Sequence, residues 1–276
     1  MALPVTNLPV TYLFVPGNRP DRFDKALESD ADAIVLDLED AVEPAAKAMA
    51  RTAIRDWLAA GPRGETPVLV RINDGTTPWF VDDLALLGQR GLSGVMLPKA
   101  ESATQIARVT AALAPGGAVV PLIESARGLR AVDGIAAADG VQRLAFGTLD
   151  FAVDLDLSGD ERGLTGPALA IAVASRCADR APPIAGVTTE IGDDEAIACD
   201  IAWARAVGFT AKLCIHPRQV EAVRRAMAPG EAEIAWARRV IAAAGTAAGG
   251  AVQVDGRMVD RPVLLKARSI LDRALN

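Results

Sequence analysis

Residues 94–125 read GVMLPKAESATQIARVTAALAPGGAVVPLIES. Gly94–Leu97 is an apolar run of strand length, Ser102–Leu113 carries helical signals and stops at Pro115-Gly116-Gly117, and Val119–Ile123 is a second apolar run. Neither run alternates polar with apolar residues, which marks strands buried on both faces of a parallel sheet. The same unit recurs on both sides. Further runs at Tyr12–Val15, Ala33–Asp37, Val68–Ile72, Arg143–Phe146, Ile184–Val187 and Ala211–Ile215 bring the candidate strands to eight. Helical stretches at Pro20–Ala26, Pro44–Ala60, Phe80–Leu87, Gly163–Arg180 and Glu195–Val207 lie between them. Strand and helix alternating to eight, with right-handed crossovers, predict an α/β fold, a (β/α)8 TIM barrel over residues 1–228, with a doubly wound open sheet as the alternative. His216–Ala228 and Glu231–Ala244 read as helices split by Pro229-Gly230, followed by a Gly245–Gly250 hinge, a hairpin over Val252–Val259 turning at Asp255-Gly256, and a last helix at Pro262–Ala274. Residues 229–276 therefore read as a C-terminal lid or arm reaching towards a neighbouring subunit.

Composition narrows the functional classes. The 276 residues carry 35 Asp+Glu against 29 Lys+Arg, a formal net charge of −6, and 51% of them are hydrophobic. An acidic balance without a basic run argues against nucleic acid as a partner. No apolar stretch approaches the roughly 20 residues that cross a bilayer. Met1–Asn7 lacks the charged flank and apolar run of a secretory signal, so no membrane is expected and the location predicted is cytoplasmic. Three cysteines without CxxC spacing support neither a disulfide framework nor a zinc site.

In a barrel, function sits where strands end at the C-terminal face. The charged residues collect there: Arg19 after the first strand, Asp37, Glu39 and Asp40 after the second, Arg71 after the third, Lys99 after the fourth, Glu124 after the fifth, Asp150 after the sixth and His216 after the eighth. Glu124 and Asp150 follow apolar strands with no basic neighbour in sequence, so in a partly dry site they share a proton or bind a cation. A hard cation, Mg2+ or Mn2+, takes one or two carboxylates and fills its shell with water and substrate oxygens. The competing readings make these two acids helix caps or a general acid/base pair. Arg71 offers bidentate contact to a substrate carboxylate or an enolate oxygen, or an ion pair across the rim to Asp37, Glu39 or Asp40. Alternation places Asp37 and Glu39 on one side, as acceptors for Arg71, Lys99 or metal-bound water. Lys99 balances that charge, or is a solvated loop lysine; a Schiff-base role is a lesser reading. Gly17-Asn18-Arg19 before Pro20 is an anion-accepting loop that matches no phosphate fingerprint. His216, before Pro217, reads as structural rather than catalytic.

The strings YLFVPGNRP (12–20), VLDLEDAV (35–42), VRIN (70–73), VMLPKAES (95–102), PLIES (121–125), FGTLDF (146–151), AKLCIHP (211–217) and VDGRMVDRPVL (254–264), in this order along nearly the whole chain, resemble the citrate lyase β-subunit-like family of the HpcH/HpaI aldolase superfamily, which includes malyl-CoA and citramalyl-CoA lyases. The resemblance implies a barrel enzyme, a Mg2+-dependent carbon–carbon lyase of malyl-, citramalyl- or citryl-type thioesters, with CoA as part of the substrate. It places the metal on Glu124 and Asp150 and the substrate carboxylate or carbonyl on Arg71. It assigns Asp260 to a lid that enters the site of an adjacent subunit in a homo-oligomer, a trimer or hexamer, and puts Asn18, Arg19 and Lys212 near the CoA arm. At Ala185-Gly186-Val187 the chain lacks an acid present in many relatives. A pyruvate or oxaloacetate aldolase without CoA, and a subunit acting only on carrier-protein-bound citryl groups, are the alternatives.

Overall fold

The computed structural model describes residues 8–61, 64–158, 161–246 and 252–274. The chain divides into two compact units, residues 1–224 and 225–276. In the first, strands β1 (Thr11–Pro16), β2 (Ala33–Asp37), β3 (Val68–Arg71), β4 (Gly94–Leu97), β5 (Ala118–Ile123), β6 (Arg143–Phe146), β7 (Ala181–Ala185) and β8 (Ala211–Cys214) pair in parallel and in chain order into a closed barrel. The β1–β8 pair closes it, so the open sheet is excluded.

Helices α1 (Phe23–Leu27), α2 (Lys47–Ala59), α3 (Phe80–Leu84), α4 (Ala103–Thr110), α5 (Ala126–Arg130), α6 (Val132–Ala137), α7 (Thr148–Asp154), α8 (Glu161–Cys177) and α9 (Asp194–Ala206) occupy the connections, and α10 (Arg218–Met227) follows β8. Helix α4 starts where its sequence dictates: Ser102 accepts the Gln105 N–H while the Gln105 side chain accepts the Ser102 N–H, a complete capping box. Sequence reasoning missed α5, α6 and α7, which are short and lack a long apolar period. Pro20–Ala26 is a 3-10 turn, Pro20–Arg22, leading into α1. Among the described residues no helix is long and apolar enough to cross a membrane.

Inside the barrel Tyr12, Ala33, Val35, Leu69, Met96, Val120, Leu122, Ala145, Ile184, Ala211 and Leu213, drawn from all eight strands, form one buried cluster. Strand side chains alternate, so these residues fix which rim positions point inward. Two residues beyond Val35, Leu69 and Leu122 stand Asp37, Arg71 and Glu124.

The seventh strand departs from the expected Ile184–Val187 because it contains Pro182 and Pro183, which signal a non-strand. The carbonyls of both prolines still find donors, that of Pro183 from the Thr210 N–H at 3.2 Å. The pairing register shifts between Arg143 and Ala145, and the Arg143 side chain, 1% exposed, donates from Nε and Nη2 to the Pro182 carbonyl. The same guanidinium reaches the Pro9 carbonyl at 2.9 Å and Thr210 Oγ1 at 3.0 Å, and lies 5.9 Å from the Tyr12 ring.

In the second unit α11 (Glu231–Thr246) packs on α12 (Arg261–Ala274), with a hairpin of β9 (Val252–Val254) and β10 (Arg257–Val259). The hairpin turns through Asp255 and Gly256, both at positive φ (51° and 75°), the conformation that an Asp-Gly pair favours. Ala237, Val240, Ala267 and Ile270 form its buried core. Asp260 is exposed, and its carboxylate accepts the Val263 N–H at 3.1 Å, capping α12. Of the expected Gly245–Gly250 hinge, residues 247–250 lie outside those described.

Candidate active site

Register brings the first charged group together. Asp37 and Arg71 are partners across β2 and β3, and Arg71 donates to Asp37 from Nε at 2.7 Å and from Nη2 at 2.6 Å. Arg71 Nη1 lies 2.9 Å from Glu39 Oε2 and 3.9 Å from Asp40. The guanidinium also lies 4.6 Å from the Phe14 ring. Burial opposes its charge, but Asp37, Glu39 and Asp40 outweigh burial and hold it protonated. Asp37 and Glu39 do share one side, and the cross-rim ion pair is present. Asp37 takes the Nε proton and one Nη2 proton, while Nη1 meets Glu39 as an ion pair without a hydrogen bond, so the terminal nitrogens keep protons for a ligand.

Glu39 links this group to Lys99, whose Nζ lies 3.2 Å from Oε1. Lys99 has a side chain that is partly exposed and ion-paired at once. Its backbone adopts a left-handed conformation, φ 46°, uncommon for a residue with a side chain. That conformation aims its N–H at Glu124 Oε1, 2.7 Å away. Glu39 Oε2, close to Arg71 but out of line with its N–H, is buried without a hydrogen bond.

Glu124 is 3% exposed. It does not cap the following helix; Ser125 does, accepting the Gly128 N–H. Burial, then the nearby Glu39 charge and more weakly Asp150, push its carboxyl up to about 8. Burial likewise lifts Glu39 to about 7, against the pull of Arg71. Lys99, despite burial that would lower it, is raised by Glu39, Glu124 and Asp150. Asp150 stands in the first turn of α7, whose cap position is Gly147 with no side-chain cap bond. Two buried carboxyls that retain protons near neutrality mark a site short of positive charge, and a divalent cation meets that shortage. Among the described residues no cluster of three or more His, Cys, Asp or Glu side chains is arranged to hold a metal. A cation here would rest on Glu124 and Asp150 and complete an all-oxygen shell from water and substrate, the set that hard cations accept.

Gly147 was not singled out by sequence reasoning, although its place directly after β6 is the signal. A Cβ there would lie 2.4 Å from Glu124 Oε2 and 2.7 Å from Glu124 Cβ. Gly147→Ala is therefore expected to displace the carboxylate and weaken divalent-cation binding by about 10- to 100-fold, the range for disturbed ligand support, as calorimetric titration would measure. Gly17 has a similar constraint: its N–H donates to the Asp37 carbonyl at 2.8 Å, and a Cβ would meet that oxygen at 2.6 Å.

A cleft of about 470 Å3 opens at the ends of β1 and β8, lined by Phe14, Arg19, Arg22, Lys25, Ile215 and His216 among others. Asn18 is half-buried next to it in sequence, and Arg19 is exposed and paired with Asp21 at 2.8 Å. His216 Nδ1 accepts the Arg218 N–H at 3.1 Å, a structural role. Lys212 requires a correction. It alternates with the inward-facing Ala211 and Leu213, so its side chain leaves on the outer face of the barrel. There it is 3% exposed, with Nζ 2.7 Å from the Gly186 carbonyl and 3.3 Å from Asp200. It does not reach the cleft. At the seventh strand end Thr188 Oγ1 donates to the same Asp200 carboxylate.

The family model described as HpcH/HpaI aldolase/citrate lyase matches residues 11–217 of this barrel. The chain belongs to the HpcH/HpaI aldolase/citrate lyase family. It is 39% identical over 269 residues to a citrate lyase subunit beta-like protein of Mycobacterium tuberculosis, a match covering 95% of this chain and 94% of that protein. It is 33% identical over 296 residues to the L-malyl-CoA/beta-methylmalyl-CoA lyase of Cereibacter sphaeroides, covering 95% and 93%. Among solved structures it is similar to CitE of Mycobacterium tuberculosis in complex with magnesium, acetoacetate and coenzyme A, with a TM-score of 0.85 and 37% identity over 96% of this chain and 98% of that one.

Proposed function

We propose that this protein is a magnesium-dependent carbon–carbon lyase that cleaves a malyl-, citramalyl- or citryl-type CoA thioester. The observation that carries the reading is the rim set: a buried Glu124 with its carboxyl raised to about 8, Asp150 near enough for its charge to contribute to that rise, and Arg71 locked between Asp37 and Glu39. Mg2+ on Glu124 and Asp150 would supply Lewis-acid polarisation of a 2-oxo or 2-hydroxy acid unit. The rest of the chemistry falls to the chain. Breaking the carbon–carbon bond turns the deprotonated hydroxyl into the carbonyl of a 2-oxo acid and leaves the bonding pair as negative charge on a thioester enolate, the proton passing in net from that hydroxyl to the enolate carbon. The free N–H groups of Arg71, preorganised by two buried carboxylates, are placed to stabilise that oxygen as charge develops. Lys99, held by Glu39, offsets the surplus of acids. The cleft with Arg19, Arg22 and Lys25 on its wall favours a phosphate-bearing substrate arm over a free 2-oxo acid, which supports CoA against the aldolase alternative. Asn18 and Arg19 would serve there.

Asp260 completes the scheme. Supplied by the second unit of a neighbouring copy in a homo-oligomer, a trimer or hexamer, it would move the proton at the methyl carbon of the released acyl-CoA, and a closed lid would keep water from the enolate. Asp260→Asn retains a good α12 cap and is expected to lose cleavage by about 100- to 10,000-fold, the range for one acid/base group, while still binding Mg2+ and pyruvate. Mixing it with Glu124→Ala protein should restore activity, because mixed oligomers contain intact sites; subunit exchange without recovery would refute a lid acting between copies. The decisive assay measures acetyl-CoA or propionyl-CoA release from L-malyl-, citramalyl- and citryl-CoA with and without Mg2+. Release that depends on the metal is expected, and equal turnover in EDTA would overturn the reading.

A further inference from the structure

The buried side of α2 presents a cation that the proposed chemistry leaves unused. Lys47, 5% exposed, stands in the first turn of that helix. Its Nζ donates to the Leu38 and Glu39 carbonyls, each at 2.8 Å, and lies 5.0 Å from the Trp79 ring centroid. Those carbonyls belong to the turn leaving β2. Asp37 grips the same turn by its amides: Oδ1 accepts the Glu39 N–H at 2.9 Å and Oδ2 the Ala41 N–H at 3.1 Å. The Glu39 carbonyl also accepts the Val42 N–H at 3.1 Å. Of the two acids that follow Leu38 in the turn, Glu39 is the buried one, and it meets Lys99 through one oxygen and Arg71 through the other. A buried ammonium is costly to desolvate and stays only where carbonyls receive its protons. Removing it would take the side-chain donor from the Leu38 carbonyl, leave the Glu39 carbonyl with the Val42 N–H alone, and free the turn to shift.

We propose that Lys47 is a positioning residue: it fixes the Leu38–Glu39 turn so that Glu39 holds Arg71 and Lys99 in their working orientation. The consequence for turnover rests on the lyase reading; the positioning itself does not.

Three full-length variants test it: Lys47→Met, Lys47→Arg, and Lys47→Met combined with Glu39→Gln. On L-malyl-CoA, Lys47→Met is expected to lower kcat by about 10- to 100-fold, as for a reacting group misplaced by about 1 Å, with little change in KM. Lys47→Arg should recover most of the loss. The double variant should be no slower than Glu39→Gln alone, because Lys47 acts through Glu39. Amide exchange of the peptide spanning residues 37–42 should accelerate in Lys47→Met. If thermal stability falls while kcat holds, if the two losses multiply, or if exchange over 37–42 is unchanged, the proposal is overturned. Should Lys47→Met not fold, Lys47→Gln, with a neutral donor in place of the ammonium, gives the same readings. A wild-type protein inactive on all the thioesters above would sink the lyase reading, and amide exchange would then decide the positioning role by itself.

Discussion

Glu124→Gln is expected to abolish magnesium-dependent turnover while leaving the barrel folded. The amide keeps the size of the carboxylate and can still accept the Lys99 N–H, which now reaches Glu124 at 2.7 Å. It lacks the charge that draws a divalent cation. Metal-based charge stabilisation is worth several kcal/mol, so the loss should be about a thousandfold or more in kcat. The same substitution has a readable effect on stability. The Glu124 carboxyl is raised from 4.5 to about 8, so the folded, metal-free protein holds that proton more tightly than the unfolded chain. Its contribution is intact below about pH 4.5 and is lost as pH rises towards 8, with Glu39, lifted to about 7, losing stability in the same direction. The metal-free protein should therefore melt at progressively lower temperature from pH 5 to pH 8.5, and Mg2+ should stabilise it most at the alkaline end. In Glu124→Gln the pH slope should shrink and the Mg2+ effect should vanish. A wild-type melting temperature that climbs over this interval without metal would contradict the assignment of the buried proton.

Arg71→Lys should produce the second large loss. A lysine keeps the charge but presents one ammonium where the guanidinium serves Asp37 through two nitrogens and Glu39 through the third. It cannot satisfy both acids and still offer protons to a substrate oxygen. Removing one preorganised donor from a developing oxyanion costs about 100- to 1,000-fold in kcat, and that is the expected size. Breaking a buried pair costs roughly 3–5 kcal/mol when a charge is left uncompensated; because lysine still pairs one acid, the fall in stability should be smaller. Steady-state kinetics with thermal melts separates the two effects. Activity within tenfold of wild type would remove Arg71 from the chemistry.

The barrel was legible because its strands are apolar throughout and its helices end at glycine or proline; seven of the eight strands agree within one residue at each end. The family was legible from eight short strings that keep their order. The sequence misplaced β7 because two prolines signal a non-strand, and nothing in its spacing shows that the Arg143 side chain donates to the Pro182 carbonyl. Inward and outward positions were the second blind spot. Lys212 and Arg71 both follow apolar strand residues, yet one residue of register sends Lys212 behind the wall and Arg71 into the site. Glycine at 147 is informative only once the Glu124 carboxylate is seen against it, and no spacing rule links Lys47 to the turn that it holds.

Arg143 also bears on how the cylinder is built. From the sixth strand its guanidinium touches residues just before the first, in the seventh, and just before the eighth. Half of the staves, assembled alone, would enclose this cation with some of its acceptors missing, a state more costly than leaving it in water. Its full set of acceptors therefore exists only when the strands on both sides of the seam are in place, which couples burial of the arginine to closure of the cylinder.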